Sequence, residues 1–341
     1  MANNDRITMA HGAGGEASKE LVNKVFKKFF SNPVLNALDD AAVIKTTNTK
    51  IASAKIAFST DTFVINPVFF KGGDIGKLAV CGSINDISVM GAKPLALSAA
   101  AVIEEGFSLK SLEKIACSMA ETAKKAGVNI VTGDTKVVRK GEADGIFINT
   151  SAIGIIDEKI NLSGANAKPG DSVIISGNIA EHGAAVMLSR NDFGFKHNIK
   201  SDCACLNFLT NSILKACPSV NVMRDPTRGG IAAALNEIAE SSGVSIVIEQ
   251  DTIPVSKSVA AICRVLGFDP LFMANEGKLI SIQSAKCGQK VLDACKKNVL
   301  GKNARIIGKI EKGPAGVWLK TRSGALRKVL NSAAEQLPRI C

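Results

Sequence analysis

Apolar positions along this chain follow two periods, and the alternation between them outlines its elements. Gly76 to Met90 carries apolar residues at helical spacing, with Gly91 as a stop and Pro94 just beyond. Leu109–Ala126 is an amphipathic helix ended by Gly127, and Glu16 opens another helical stretch that runs to about Phe30. Short runs between them read as strands: Ala41–Ile44, Ile51–Phe58, Thr62–Ile65, Leu95–Ile103, Asn129–Val131 and Gly145–Ile156. Asn161 to Gly170 is rich in Gly, Ala, Asn and Pro, and marks a boundary. Beyond it, helices are expected at Gly183–Ser189, Gly230–Ser241 and Ser256–Leu266. Strands are expected at Val173–Ser176, Val244–Glu249, Leu279–Ile282 and Ala304–Ile310. No pattern persists from Asn331, and Pro338 favours an extended chain there. Adjacent strands with interspersed helices predict an α+β protein of two domains, residues 1–160 and 161–330, with a flexible C-terminal tail over 331–341.

Composition narrows the class. With 341 residues, 46% of them apolar and 21% charged, the chain has the size and make-up of two globular domains. It has no apolar run of about 18 residues or more, so no membrane span is expected. Met1-Ala-Asn-Asn-Asp-Arg lacks a basic head followed by an apolar stretch, which predicts a cytoplasmic protein. Nine cysteines without a dense framework argue against a disulfide scaffold. Cys81, Cys117, Cys263 and Cys295 fall in apolar-periodic segments and are expected to be buried. Cys203, Cys205 and Cys217, near His197, lack the second close pair of a structural zinc site. The net charge of +11 raises nucleic-acid binding, but the lysines are dispersed, aromatics are 4% and tyrosine is absent. No stacking platform is visible, so no nucleic-acid partner is expected. A basic field of this kind suits anionic substrates or an acidic protein partner.

The chemistry-bearing residues are mostly aspartates beside strand-like runs. Asp39-Asp40 precede Ala-Ala-Val-Ile, Asp61 follows Ile-Ala-Phe-Ser-Thr, Asn85-Asp86 sit in Gly-Ser-Ile-Asn-Asp-Ile-Ser, and Asp134 follows Ile-Val-Thr-Gly. Any one of them is accounted for as a turn or cap residue. As a set they suit Mg²⁺ shared with substrate phosphates, because hard cations take carboxylate oxygens. Glycine-rich turns are the second feature. His11-Gly-Ala-Gly-Gly stands before a helix without the βαβ context of a dinucleotide site. Gly72-Gly-Asp-Ile-Gly-Lys-Leu misses the P-loop pattern by one residue and by Leu78 at the metal-binding hydroxyl position. Asp225-Pro-Thr-Arg-Gly-Gly opens a helix and would aim backbone N–H groups at an anion. Lys136, Glu276 and the thiol of Cys341 complete the candidates; each alone is also explained without a function.

Taken together, these stretches resemble the hydrogenase maturation factor HypE family over essentially the whole chain. The resemblance rests on His11-Gly-Ala-Gly-Gly, Leu38-Asp-Asp-Ala-Ala, Ser59-Thr-Asp, Phe69-Phe-Lys-Gly-Gly-Asp-Ile-Gly, Asn85-Asp86, Val131-Thr-Gly-Asp-Thr-Lys-Val-Val, Asp225-Pro-Thr-Arg-Gly-Gly, Ala274-Asn-Glu-Gly-Lys and Pro338-Arg-Ile-Cys. The earlier motifs are shared more loosely with a wider ATP-binding superfamily that includes aminoimidazole ribonucleotide synthetase and selenophosphate synthetase. The final motif is the specific one. A selenophosphate synthetase would carry a Cys or selenocysteine and a Lys near its first glycine-rich loop, and Met9-Ala-His-Gly-Ala-Gly-Gly has neither.

The resemblance implies an aminoimidazole ribonucleotide synthetase-like fold, a homodimer paired through the N-terminal domains, and ATP held between them. It implies ATP-dependent dehydration of a carbamoyl group on Cys341 to a thiocyanate. A carbamoyltransferase, HypF, would load the group, and a HypC–HypD complex would take the cyanide for [NiFe] hydrogenase. Asp40, Asp61, Asp86 and Asp225 would then position metal and phosphate. Asn85, Asp134, Thr227, Arg228, Gly229 and Gly230 would help hold the nucleotide. Glu276 is the first choice as base, with Lys136 or His11 orienting the carbamoyl oxygen. A non-catalytic adaptor with a docking tail is the competing class. Lys71 departs from the proline common in the family at that position, and no extra linker precedes Pro338.

Overall fold

The computed structural model describes residues 16–21, 23–24, 29, 32–45, 55–190, 198–330 and 339–341. A short helix, α1 (Glu16–Leu21), precedes strands β1 (Ala42–Lys45) and β2 (Lys55–Phe63) and a small hairpin of β3 (Phe69–Phe70) and β4 (Gly73–Asp74). Helix α2 (Ile75–Val89), strand β5 (Ala92–Glu104), helix α3 (Leu109–Ala126), β6 (Asn129–Val138) and β7 (Ile146–Ile156) complete the N-terminal half. Its sheet has the order β1-β2-β7-β5-β6, antiparallel except for the β5–β6 pair. A parallel pair needs a crossover, and α3 supplies it.

Helix α2 is buried along nearly its whole length. Its N-terminus is fixed by Asp74, whose carboxylate accepts from the N–H groups of Gly76 and Lys77 at 2.8 and 3.0 Å. Small residues let its neighbours close in. A Cβ on Gly76 would lie 2.6 Å from the Ile115 carbonyl oxygen, and one on Gly82 would lie 2.7 Å from the Phe63 ring. Helix α3 spans the predicted residues, with Ser108 capping its start and Gly127, at φ 73°, its end.

The C-terminal half contains β8 (Asp171–Ile175), helices α4 (Glu181–Arg190) and α5 (Asn207–Ala216), β9 (Val222–Arg224), α6 (Gly230–Ser242) and β10 (Ser245–Glu249). It continues with α7 (Lys257–Leu266), β11 (Ile280–Ser284), α8 (Ala285–Lys297), β12 (Arg305–Glu311), β13 (Gly316–Lys320) and β14 (Leu326–Val329). The sheet order is β14-β13-β10-β12-β8-β11-β9. At β8 and β11 both of its faces are covered. Alternate residues of β8 enter different cores: Ile174 joins the one built around α2, while Val173 and Ile175 join the one built around α6. No helix among the described residues is long and apolar enough to cross a membrane.

Three expectations change. Cys117 is exposed on its helix rather than buried. Ile51–Phe58 and Thr62–Ile65 are one strand where described, β2, so Asp61 lies inside a strand rather than after one. It occupies an inward-facing position, where a carboxylate interrupts the apolar run. Asn129–Val131 continues to Val138 through Thr-Gly-Asp-Thr-Lys, residues that read locally as a turn but are held in register by β5.

Candidate active site

The acids come from separate elements. Asp40 precedes β1, Asp61 points inward from β2, Asp86 lies in the last turns of α2, and Asp225 directly follows β9. Burial pushes Asp86 well above the usual carboxylate range, and Asp225, Asp61 and Asp40 push it further. Burial also raises Asp225, to about 8, with Asp40 as the next cause. Asp40 is raised to about 6 by burial, against the pull of Arg224. Asp61 is raised by burial and opposed by Arg228. Ser59 donates to Asp86 Oδ2 at 2.5 Å. Arg224 pairs with Asp40 at 3.1 Å and with Glu237 at 2.7 Å.

Carboxylates that raise one another in this way suit a cation between them. The donors are hard oxygens, as Mg²⁺ requires. Among the described residues, no group of three or more His, Cys, Asp or Glu side chains could hold a metal ion alone. This set therefore fits ions that take one or two protein carboxylates and complete their shell from phosphate and water.

Glu276 stands beside this cluster. It is 2% exposed, and its Oε1 has no hydrogen-bond partner among the described residues. Burial raises it well above the ordinary range, with Cys203, Asp225, Asp202 and Asp61 adding to the effect. Its backbone is tightly seated. Asp202 accepts from the N–H groups of Glu276 and Gly277, both at 3.2 Å, and from Lys278 Nζ at 3.1 Å. Asn275 donates to the Pro226 carbonyl at 2.9 Å and accepts from the Ala180 N–H at 2.8 Å. That bond ties the Glu276 segment to the Asp225-Pro-Thr-Arg-Gly-Gly turn.

The turn itself leads into α6 through Gly229 and Gly230, at φ 72° and 61°. A Cβ at Gly230 would lie 2.5 Å from the Leu271 carbonyl oxygen, so position and conformation both demand glycine. The helix start beyond Thr227 and Arg228 is the kind of backbone that receives an anion.

Asn85 is turned elsewhere. Its amide donates to the Ala204 and Glu276 carbonyls at 3.1 and 3.4 Å, and its oxygen accepts from the Leu206 N–H at 2.8 Å. It pins α2 to the segments that carry the acids of the C-terminal half. Asp134 and Lys136 also stand apart. They pair with each other at 2.8 Å on the exposed edge strand β6, and Lys136 holds Asp134 below its ordinary range. Their register partners are Ala100 and Val102, whereas the inward row carries Ala99 and Thr150 opposite Asp61. Within one chain, then, Asp134 and Asp61 face opposite sides of the sheet.

Arg339, Ile340 and Cys341 lie along the chain that follows β2. The N–H of Val64 donates to the Cys341 carbonyl at 3.2 Å, and that of Asn66 to the Arg339 carbonyl at 3.3 Å. The Arg339 side chain reaches the Val64 carbonyl at 2.8 Å and pairs with Asp144. Ile340 is buried in the N-terminal core. Val64 is three residues beyond Asp61, so the Cys341 backbone sits about 10 Å along the strand direction from that acid. His11 and its glycine-rich turn, tail residues 331–338 and His197 lie outside the described residues. Cys203 and Cys205 gather at Cys81, with Sγ atoms of Cys81 and Cys205 3.5 Å apart, whereas Cys217 lies with Cys287.

Comparison with known proteins places nearly the whole chain. A model described as AIR synthase related protein, N-terminal domain, matches residues 38–156, and one described as the C-terminal domain matches 168–319. Carbamoyl dehydratase HypE of Cupriavidus necator is 46% identical over 337 residues, covering 98% of this chain and 95% of that protein. The chain belongs to the carbamoyl dehydratase HypE family. The HypE of Escherichia coli is 41% identical, covering 99% of this chain and all of its own length. A solved HypE–HypF complex contains a chain 47% identical, with a TM-score of 0.86, covering 92% of this chain and 99% of that one. A HypE solved in complex with ATP is 40% identical, with a TM-score of 0.81, covering 98% and 100%. A ThiL structure with AMPPCP and TMP, at 19% identity and a TM-score of 0.69, shares the fold.

Sequence reasoning passed over Asn275, Asp202, Lys278 and Arg224, which seat the acids. It also passed over His182 and Arg190, which touch the tail. The Ala-Asn-Glu-Gly-Lys run pointed at Asn275 and Lys278; Asp202 reaches Glu276 across 74 residues, and Arg224, His182 and Arg190 make contacts across more than a hundred residues of chain.

Proposed function

We propose that this chain is an ATP-dependent carbamoyl dehydratase that converts an S-carbamoyl group on Cys341 to a thiocyanate, for the cyanide ligands of [NiFe] hydrogenase iron. The observation that carries the reading is the docking of Cys341 on Val64, just beyond the strand that bears Asp61. A chain end held there supports Cys341 as the carrier of the reacting group.

The chemistry follows from the groups present. An amide oxygen is a poor leaving group, and transfer of the ATP γ-phosphoryl group converts it into part of a phosphate. Positioning and charge neutralisation do most of that work. Loss of the N–H protons and departure of phosphate leave S–C≡N. Glu276, with a buried free oxygen and a raised proton affinity, is the base in this reading. Asp40, Asp61, Asp86 and Asp225 would hold Mg²⁺, which would neutralise the phosphate charge. The Thr227–Gly230 turn receives the phosphates, and Asn85 holds the site's two halves together rather than touching the nucleotide.

Asp134 and Lys136 act in this scheme across a homodimer. Among the described residues nothing covers their face of the N-terminal sheet, which carries exposed Phe58, Ile153, Ile155 and Leu95. A second copy covering it, by a two-fold contact, would carry Asp134 and Lys136 towards its partner's cleft. His11 is retained as a further candidate for orienting the carbamoyl oxygen. HypF is the loading partner in this reading, and a HypC–HypD complex the acceptor.

The test is ATP hydrolysis by wild type and Cys341→Ala, each incubated with the carbamoyl-loading partner. Turnover confined to loaded wild type supports the reading. Partner binding that survives the substitution, with no turnover in either form, would replace it with an adaptor.

A further inference from the structure

We propose that His182 positions the carrier tail, gripping the peptide carbonyl beside Cys341 through its Nε2–H while Ser201 holds the ring from the other side. This rests on Cys341 being the carrier. His182 lies on α4 and is wholly buried. Its Nε2 is 2.8 Å from the Ile340 carbonyl oxygen, and its Nδ1 is 2.8 Å from Ser201 Oγ. A carbonyl can only accept, so the proton sits on Nε2. Burial favours the neutral ring, which leaves Nδ1 as an acceptor and makes the Ser201 hydroxyl the donor. Ser201 is itself fixed: its N–H donates to the Lys71 carbonyl at 2.8 Å, and its Oγ accepts from the Cys203 N–H at 3.1 Å. The Ile340 carbonyl thus fixes the tautomer, and Ser201 holds the ring's orientation from its other nitrogen.

The grip falls where it controls the thiol. His182 holds the carbonyl on one side of Cys341, and the Val64 N–H holds the carbonyl on the other. Arg190 supports the same segment, donating to the Arg339 carbonyl at 2.6 Å and to the Asn66 carbonyl at 2.6 Å. Ser201 is followed by Asp202, whose carboxylate seats the backbone of Glu276 and Gly277. One short segment therefore sets both the tail and the base, which a histidine present only to fill the core would not require. His182 does also pack edge-on against Phe70, with ring centroids 5.4 Å apart.

The experiment compares full-length wild type, His182→Ala and His182→Gln. Each is treated with iodoacetamide without nucleotide, and modification of Cys341 is followed by mass spectrometry on the peptide that begins at Gln336. Loss of the hydrogen bond should speed alkylation about fivefold in His182→Ala. Gln, whose side-chain N–H can reach the same carbonyl, should restore most of the protection. In loaded protein, single-turnover dehydration should slow in His182→Ala while the KM for ATP stays unchanged. Equal alkylation rates in all three folded proteins would overturn the proposal. Where His182→Ala does not fold, Ser201→Ala and His182→Gln decide it: Ser201→Ala should show intermediate protection, and a wild-type rate there overturns the proposal. If wild type never dehydrates its tail, the carrier reading fails, and the alkylation rates still report the grip.

Discussion

The two sheets of this protein are built from similar residues but meet their surroundings differently. In the C-terminal sheet, β8 is buried on both faces and its alternate residues feed two cores. In the N-terminal sheet, α2 and α3 cover one face, and the other leaves Phe58 45% and Ile155 43% exposed. Aspartates follow the same division. On the covered side Asp86 is pushed well up by burial and by its neighbours, whereas on the open side Asp134 is drawn down by Lys136. The difference teaches that one chain sorts its acids into two environments, one buried and mutually raised, the other exposed and paired with a cation. In the proposed reading the open face takes a second copy, and the covered cleft takes a cation.

Breaking the open face is the larger test. Phe58→Asp places a charge where apolar surface would be covered, and the side chain is half-exposed within one chain, so the fold should survive. Sedimentation should show wild type as a dimer and the variant as a monomer, with turnover down at least tenfold. Mixing sharpens the point. Asp134→Asn and Asp225→Asn should each be nearly inactive alone, yet exchange between dimers should restore about a quarter of wild-type activity, because half the dimers then hold one intact site. Failure of the mixture to recover would place Asp134 outside the partner's site.

The covered cleft gives a smaller effect, read as stability. Asp40 and Asp225 are raised to about 6 and about 8, whereas unfolded aspartates titrate near about 4. The folded chain therefore binds protons that the unfolded chain does not, and stability falls as pH rises through that window. Without divalent cation or nucleotide, Tm should drop by a few degrees between about pH 6 and pH 8.5. Mg²⁺ with ATP should flatten the slope, and Asp225→Asn should flatten part of it while abolishing turnover. A Tm that rises over this range would show the acids to be compensated already.

How much of this was legible depends on the range of the contacts. Helices α2 and α3 were readable because Gly91 and Gly127 stop them locally and apolar spacing marks their faces. Strand β6 was read only in part, since Thr132-Gly-Asp-Thr-Lys looks like a turn until β5 pairs with it. The inward orientation of Asp61 and the outward orientation of Asp134 follow from register, which single-strand patterns do not reveal. His182 reads as an ordinary core histidine, and its bond to Ile340 spans 158 residues of chain.

The central claim is that Cys341 carries the reacting group into an ATP site. Its most direct test is mass spectrometry of the loaded Gln336–Cys341 peptide before and after ATP is added. The account predicts loss of the mass of one water from that peptide, dependent on ATP and absent in Glu276→Gln. A loaded peptide whose mass stays unchanged, in a preparation that still hydrolyses ATP, would contradict it.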